Sequence, residues 1–241
     1  MNPGRRQVLA WGAAAAAGAA FAPGLRLVEL ALARSPEEAA SALQRWGLLI
    51  DVAKCADCDE CVSACHEENG VTGHGRAATD AQWIRKVSLR DRGTGHVQTL
   101  PLMCQHCEHP PCVDVCPTGA SFRRADGIVL VDKHTCIGCR YCVMACPFGA
   151  RSFVHEPVTG QKADVPRGKG TVESCTLCVH RVDRGETPAC VEACNRDGKG
   201  AMTFGDLNDP ASDIGARLRR EPSAALRADL ALNPGVRYQH L

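Results

Sequence analysis

Hydrophobic and polar positions divide the chain into segments of different character. Residues 8–22 are alanine-rich and almost wholly apolar, and they follow a short polar stretch, Asn2 to Arg6, that ends in Arg5-Arg6. A small-residue site, Ala31-Leu32-Ala33, comes after them. Charged, then apolar, then small residues is the order of an export signal peptide, and the paired arginines point to the twin-arginine route. The apolar run is shorter than the roughly 20 residues a spanning helix needs, and Gly12, Gly18 and Pro23 weaken a helix there. Residues 1–33 are therefore expected to be a twin-arginine signal cut after Ala33. No later stretch approaches a membrane span.

Further along, Trp83 to Arg90 and His96 to Leu102 alternate apolar and polar positions around the turn Asp91-Arg92-Gly93-Thr94-Gly95, which predicts a β-hairpin. Ser121 to Arg123 and Ile128 to Val131 predict a second, shorter hairpin around Ala125-Asp126-Gly127. The stretch Glu156 to Gly170 is rich in Gly, Pro and charge and reads as a surface loop. Ala211 to Leu232 suggests a helix or two on the outside of the molecule.

Composition changes the picture in one respect. Of the 241 residues 45% are hydrophobic but only 4% aromatic, so stability must come partly from elsewhere. The sixteen cysteines are the obvious source, because metal–thiolate bonds contribute folding free energy directly. A net charge of +1 gives no reason to expect a nucleic-acid partner.

Every cysteine belongs to one of four groups of four. Group one is Cys55, Cys58, Cys61 and Cys65; group two is Cys104, Cys107, Cys112 and Cys116. Group three is Cys136, Cys139, Cys142 and Cys146; group four is Cys175, Cys178, Cys190 and Cys194. Groups one and three have the C-x2-C-x2-C-x3-C spacing of bacterial ferredoxins, and Pro117 and Pro147 follow the last cysteines of groups two and three. The spacing lets a tight loop wrap one cluster with three thiols while the fourth, about one helical turn on, is aimed at a neighbouring cluster. Disulfides do not account for such closely spaced sets. Zinc ribbons use paired C-x2-C and would describe only part of group four. A covalent haem would need C-x-x-C-H, which is absent. The stretch Cys116-Pro-Thr-Gly-Ala-Ser-Phe122 is echoed by Cys146-Pro-Phe-Gly-Ala-Arg-Ser-Phe153, an internal repeat. No catalytic residue is expected: phosphate-binding glycine loops, H-E-x-x-H and a defensible Ser-His-Asp set are all missing. His106, His109 and His180 lie beside cysteines and read as surface or supporting groups rather than ligands.

With these groups laid out, residues 48–208 resemble the four-cluster ferredoxin-type subunits of membrane-linked oxidoreductase complexes, which serve dimethyl sulfoxide, polysulfide, thiosulfate and tetrathionate reductases and formate dehydrogenases. The most specific pieces are Cys104-Gln-His-Cys107-Glu-His-Pro-Pro-Cys112-Val-Asp-Val-Cys116-Pro-Thr-Gly-Ala and Cys136-Ile-Gly-Cys139-Arg-Tyr-Cys142-Val-Met-Ala-Cys146-Pro-Phe-Gly-Ala. The resemblance implies an α+β fold of tandem bacterial-ferredoxin-like modules, each holding two [4Fe–4S] clusters, with inserted β-hairpins and peripheral helices. Residues 209–241 would form a C-terminal extension. It also implies four [4Fe–4S] clusters paired as in the family: Cys55, Cys58, Cys61 and Cys194 for cluster 1; Cys104, Cys107, Cys112 and Cys146 for cluster 2; Cys136, Cys139, Cys142 and Cys116 for cluster 3; and Cys175, Cys178, Cys190 and Cys65 for cluster 4. His66 and Asn195 stand where a ferredoxin has proline, and put the helix start there in doubt.

Signal-bearing members of the family include the periplasmic iron–sulfur subunits of the Dsr sulfur-metabolism complex and of tetrathionate reductase. The stretch Cys65-His-Glu-Glu-Asn69 and the segment Asn233 to Leu241 are most similar to the Dsr subunit. The implied function is electron relay, without catalysis, in a periplasm-facing membrane complex that the protein joins only through its partners. Those partners would be a quinone-interacting membrane subunit and a periplasmic multihaem cytochrome c. A molybdopterin catalytic subunit is the alternative partner, and a redox sensor or scaffold a third reading.

Overall fold

Leu48, Leu49 and Ile50 form a continuous apolar run with no polar face, and the chain buries them completely in the middle strand of a sheet. The computed structural model describes residues 40–55, 58–76 and 78–241; the expected signal at 1–33 lies outside the described residues. Strand β1, Trp46–Asp51, pairs antiparallel with a strand at Met202–Asp206 and parallel with one at Val236–Gln239. In register Leu48 faces Phe204 on one side and Val236 on the other. The Trp46 and Phe204 rings stack with centroids 5.1 Å apart.

Both expected hairpins form. Strands β2 (Ile84–Arg90) and β3 (Val97–Met103) pair from Ile84–Met103 to Arg90–Val97. Strands β4 (Ser121–Arg123) and β5 (Val129–Val131) form the shorter one. A further two-residue pair, β6 (Ser152–Phe153) with β7 (Val172–Glu173), closes the expected loop at 156–170, and the two long strands around β1 complete the set as β8 and β9.

The helices are short: α1 Glu60–Asn69, α2 Pro111–Asp114, α3 Tyr141–Ala145, α4 Val179–Val182, α5 Ala189–Arg196 and α6 Asp213–Arg220. The region 211–232 holds α6 and a 3-10 turn at Ala228–Leu230, as its pattern predicts. Helix α6 starts at Ser212, whose hydroxyl accepts from the Gly215 amide at 3.1 Å. No described helix is long and apolar enough to cross a membrane.

The doubt about a helix start after the fourth cysteines of groups one and four is borne out. No helix starts at His66 or Asn195; α1 runs through Cys65 and His66, and α5 through Cys194 and Asn195. Without proline nothing removes the amide or blocks the preceding carbonyl, so these helices continue.

The loop at 156–170 is less superficial than its composition suggests. Arg167 is buried and makes a bidentate pair with the wholly buried Glu173, at 2.9 and 2.6 Å. The hairpin β4–β5 is tied to the end of α4 by Arg124, which bonds both Asp126 and Asp183. Strand β9 brings Tyr238, also wholly buried, against group two: its hydroxyl donates to the Pro101 carbonyl at 3.1 Å and accepts from Gln105 at 3.2 Å.

Candidate metal centres

Each cysteine group uses the same local structure. The third cysteine, Cys61, Cys112, Cys142 or Cys190, is the second residue of a helix, namely α1, α2, α3 and α5. In the ten-residue α1 and eight-residue α5 this puts a thiolate at the positive end of a helix dipole. The residue just before the second cysteine is left-handed in groups two, three and four: His106 at φ 43°, Gly138 at 69° and Leu177 at 55°. Such a turn gathers successive backbone amides into a concavity that suits an anion. For His106 and Leu177 the conformation is uncommon, and a bulky residue held there carries local strain. The corresponding Asp57 of group one lies outside the described residues. This repeated position was not read from the sequence. Gly138 carried its only visible trace, and a Cβ there would lie 2.1 Å from the Gly170 carbonyl oxygen.

The fourth cysteine of each group accepts a hydrogen bond. Cys116 takes one from the Ser121 amide at 3.3 Å, Cys146 from Ala150 at 3.5 Å and Cys194 from Ala201 at 3.3 Å. Cys65 is served by a side chain instead: the Asn69 amide lies 3.6 Å from its sulfur and 4.0 Å from that of Cys178.

Ten of the sixteen thiols are buried and only Cys139 is exposed, so the thiols form part of the core itself. Burial pushes Cys61, Cys107 and Cys175 up to about 12, and lifts Cys65, Cys104 and Cys190 well above the usual thiol range. Thiolates at these places need positive charge beside them. Cys116 differs: burial raises it, but the Ser121 amide and the Thr118 hydroxyl outweigh burial and hold it below the ordinary value.

Electrostatic neighbours sort the thiols into sets drawn from different groups. Cys61 feels Cys55, Cys194 and Cys58. Cys65 feels Cys175, Cys190 and Cys178. Cys107 feels Cys112 and Cys146, and Cys142 feels Cys136 and Cys116. Cys116, Cys136, Cys139 and Cys142 line one cavity. Among the described residues no three His, Cys, Asp or Glu side chains stand close enough together to hold a single metal ion. Buried donors without partners lie beside them. The Arg151 guanidinium has none of normal geometry, and neither does His106 Nε2, whose ring accepts from the Val129 amide through Nδ1. Thiolates, inward amides and unpartnered donors together fit iron–sulfur clusters.

Of the histidines beside cysteines, His106 is fully buried, His109 is exposed, and His180 bonds Glu68 at 2.8 Å.

The fold and these thiol sets define a polyferredoxin-type electron carrier of α+β class. Two models of the 4Fe-4S dicluster domain match the chain, over residues 54–120 and 95–207. The chain is 44% identical to the Hdr-like menaquinol oxidoreductase iron-sulfur subunit 1 of Archaeoglobus fulgidus, over 98% of each chain. It is 38% identical to tetrathionate reductase B of Salmonella typhimurium, over 99% of this chain and 88% of that one. With protein NrfC of Escherichia coli it shares 39% identity, over 79% and 78% respectively. The protein belongs to the family of iron–sulfur subunits of membrane oxidoreductase complexes. It carries four [4Fe–4S] clusters and transfers electrons without being the catalytic subunit.

Proposed function

We propose that the thiols are paired across groups as the family resemblance implies: Cys55, Cys58, Cys61 and Cys194 around cluster 1, Cys104, Cys107, Cys112 and Cys146 around cluster 2, Cys136, Cys139, Cys142 and Cys116 around cluster 3, and Cys175, Cys178, Cys190 and Cys65 around cluster 4. In this reading residues 48–208 form two ferredoxin-like modules, one built from groups one and four and the other from groups two and three. The observation that carries it is the neighbourhood of the thiols: Cys194 and Cys65 each sit with three from another group, Cys146 lies near Cys107 and Cys112, and Cys116 shares a cavity with Cys136, Cys139 and Cys142. Each cluster, when bound, supplies a one-electron centre whose potential is set by burial, hydrogen bonds and local charge.

The sets follow one another in a row. Cys190 feels Cys61, Cys104 feels Cys175, and Cys112 feels Cys142, which orders the clusters as 1, 4, 2, 3. All thiols of the two middle sets except the half-buried Cys146 are buried, while Cys55 and Cys58 at one end and Cys139 at the other are at least partly exposed. Exposed Ile137, Tyr141 and Met144 surround the Cys139 end and suit a redox partner docking there. Changing Cys116 to Ala is expected to abolish or convert the cluster of Cys136, Cys139 and Cys142 and leave three normal EPR signals.

In the cell the protein is read as the exported subunit of a Dsr-type complex, DsrO, linking a membrane quinone-interacting subunit and a periplasmic multihaem cytochrome c to sulfur metabolism. The menaquinol oxidoreductase relative and the Arg5-Arg6 signal pattern support this. The tetrathionate reductase relative favours a second reading, in which the partner is a molybdopterin subunit. The test is to purify the protein with its native partners from gently solubilised membranes and measure metal and haem. Covalent haem without molybdenum supports the Dsr-type reading; stoichiometric molybdenum replaces it with the second.

A further inference from the structure

Arg151 is the most unusual charge in the molecule. It is only 5% exposed, and none of its three guanidinium nitrogens has a hydrogen-bond partner of normal geometry; the Cys142 thiol approaches more loosely. Its largest electrostatic partners are the thiols of Cys112, Cys104 and Cys142, with no carboxylate among them. A permanently charged guanidinium buried without a counter-ion is strongly destabilising. Evolution of a stable fold around it therefore implies that an anion is present.

Among the described residues, three other cations of the interior do have hydrogen-bond partners. Arg167 is neutralised by Glu173, Arg124 by Asp126 and Asp183, and Lys133 donates to the Val172 carbonyl at 2.5 Å. Beside group four, Arg181 is paired with Glu68 and Glu192. Lys86 lies near Cys55 and Cys61 in group one, donating to the Cys58 carbonyl at 2.7 Å.

The internal repeat sharpens the point. Arg151 stands five residues after Cys146, where the other copy has Ser121, five residues after Cys116. Both side chains are buried and both leave their polar atoms without partners. One copy brings a neutral hydroxyl to this place and the other a full positive charge.

We propose that Arg151 is the shared counter-cation of the two clusters it lies between, those of groups two and three, and that it holds both reduction potentials up. Adding an electron makes a cluster more negative, so a fixed neighbouring cation stabilises the reduced form more than the oxidised one. Sharing follows from position: Cys104 and Cys112 belong to one set and Cys142 to the other. Arg151 is thus a positioning charge for the relay, and the proposal rests on the thiol pairing given above.

The test is potentiometric titration of the full chain with its native partners, followed by EPR, in Arg151→Gln and Arg151→Lys. In the glutamine variant two of the four midpoints should fall, each by about tenfold in its reduction equilibrium, or about 59 mV for one electron. The lysine variant should keep most of the parent values. If glutamine costs cluster content, retention of clusters and potentials by the lysine variant supports the charge role; loss in both variants overturns it. Unmoved midpoints, a shift in one cluster only, an equal shift in all four, or lysine behaving like glutamine would also overturn it. Cys116→Ala in the same titration separates the two ideas. If the signal it removes is not one of the two that Arg151→Gln moves, the pairing fails while the shared cation stands.

Discussion

In groups two and three the fourth cysteine is followed by proline and stands just beyond a four- or five-residue helix; in groups one and four it is followed by His66 or Asn195 and stays inside a longer one. The difference decides where each sulfur finds its hydrogen bond. After Cys116 and Cys146 the chain turns back at once, and an amide five or four residues on reaches the sulfur. After Cys65 and Cys194 the nearby amides are already used within the helix. Cys194 waits for Ala201, seven residues on and past the end of α5. Cys65 takes the side chain of Asn69, one turn further along α1. Proline therefore makes backbone donors available early. Where the helix continues, the donor has to be a side chain or a distant amide. The longer helices give something in return, since α1 packs along α5 and α4 clamps both through Glu68 and Glu192.

The sharpest way to break this comparison is to impose the proline on the wrong group. His66→Pro removes a helical amide and drives a ring into the preceding turn, which should cost about 3 kcal/mol or more. The expected result is a large drop in the denaturation midpoint with loss of iron. A variant with four clusters and near-parent stability would show that the helix in group one has no need to continue. Next in size is Gly138→Ala. Its Cβ would meet the Gly170 carbonyl, and the left-handed φ adds strain of about 1–2 kcal/mol. Iron per chain should fall by about one cluster, from group three.

Asn69→Ala probes the side-chain donor. The buried amide also donates to the Cys65 carbonyl at 2.7 Å, so the change should cost about 1–3 kcal/mol and lower one midpoint potential. Stability lost without any movement of a potential would mean that Asn69 serves the helix and not the sulfur. The smallest effect is expected from Pro117→Ala, under about 1 kcal/mol, because its cost lies mainly in a more flexible unfolded chain. Thermal denaturation monitored alongside cluster absorbance measures it.

The sequence made the cysteines and the hairpins legible for physical reasons. Cysteine spacing is a local property, and β2–β3 and β4–β5 carry alternation on either side of glycine turns. The three-stranded sheet was not legible. Its central strand is buried on both faces and shows no alternation, and its partners lie more than a hundred and fifty residues away. Arg167 and Glu173 hid for a similar reason: a polar loop looks superficial until its charges are seen to satisfy one another inside. Asn69 stood in a stretch already noted for its resemblance, but only the helix places its amide on the sulfur. Arg151 was visible as one letter of a repeat, and its placement among thiols rather than beside a carboxylate partner is a property of three dimensions.

The sheet also sets a timetable. A chain is made from its N-terminal end and folds as it emerges, so all sixteen cysteines are delivered before Val236–Gln239 exists. Until that last strand arrives, Tyr238 cannot seal Gln105, and the Gly235 amide cannot reach the Gln105 carbonyl beside Cys104. The group-two loop therefore gains these two hydrogen bonds only once Gly235 and Tyr238 have been made, long after its own cysteines.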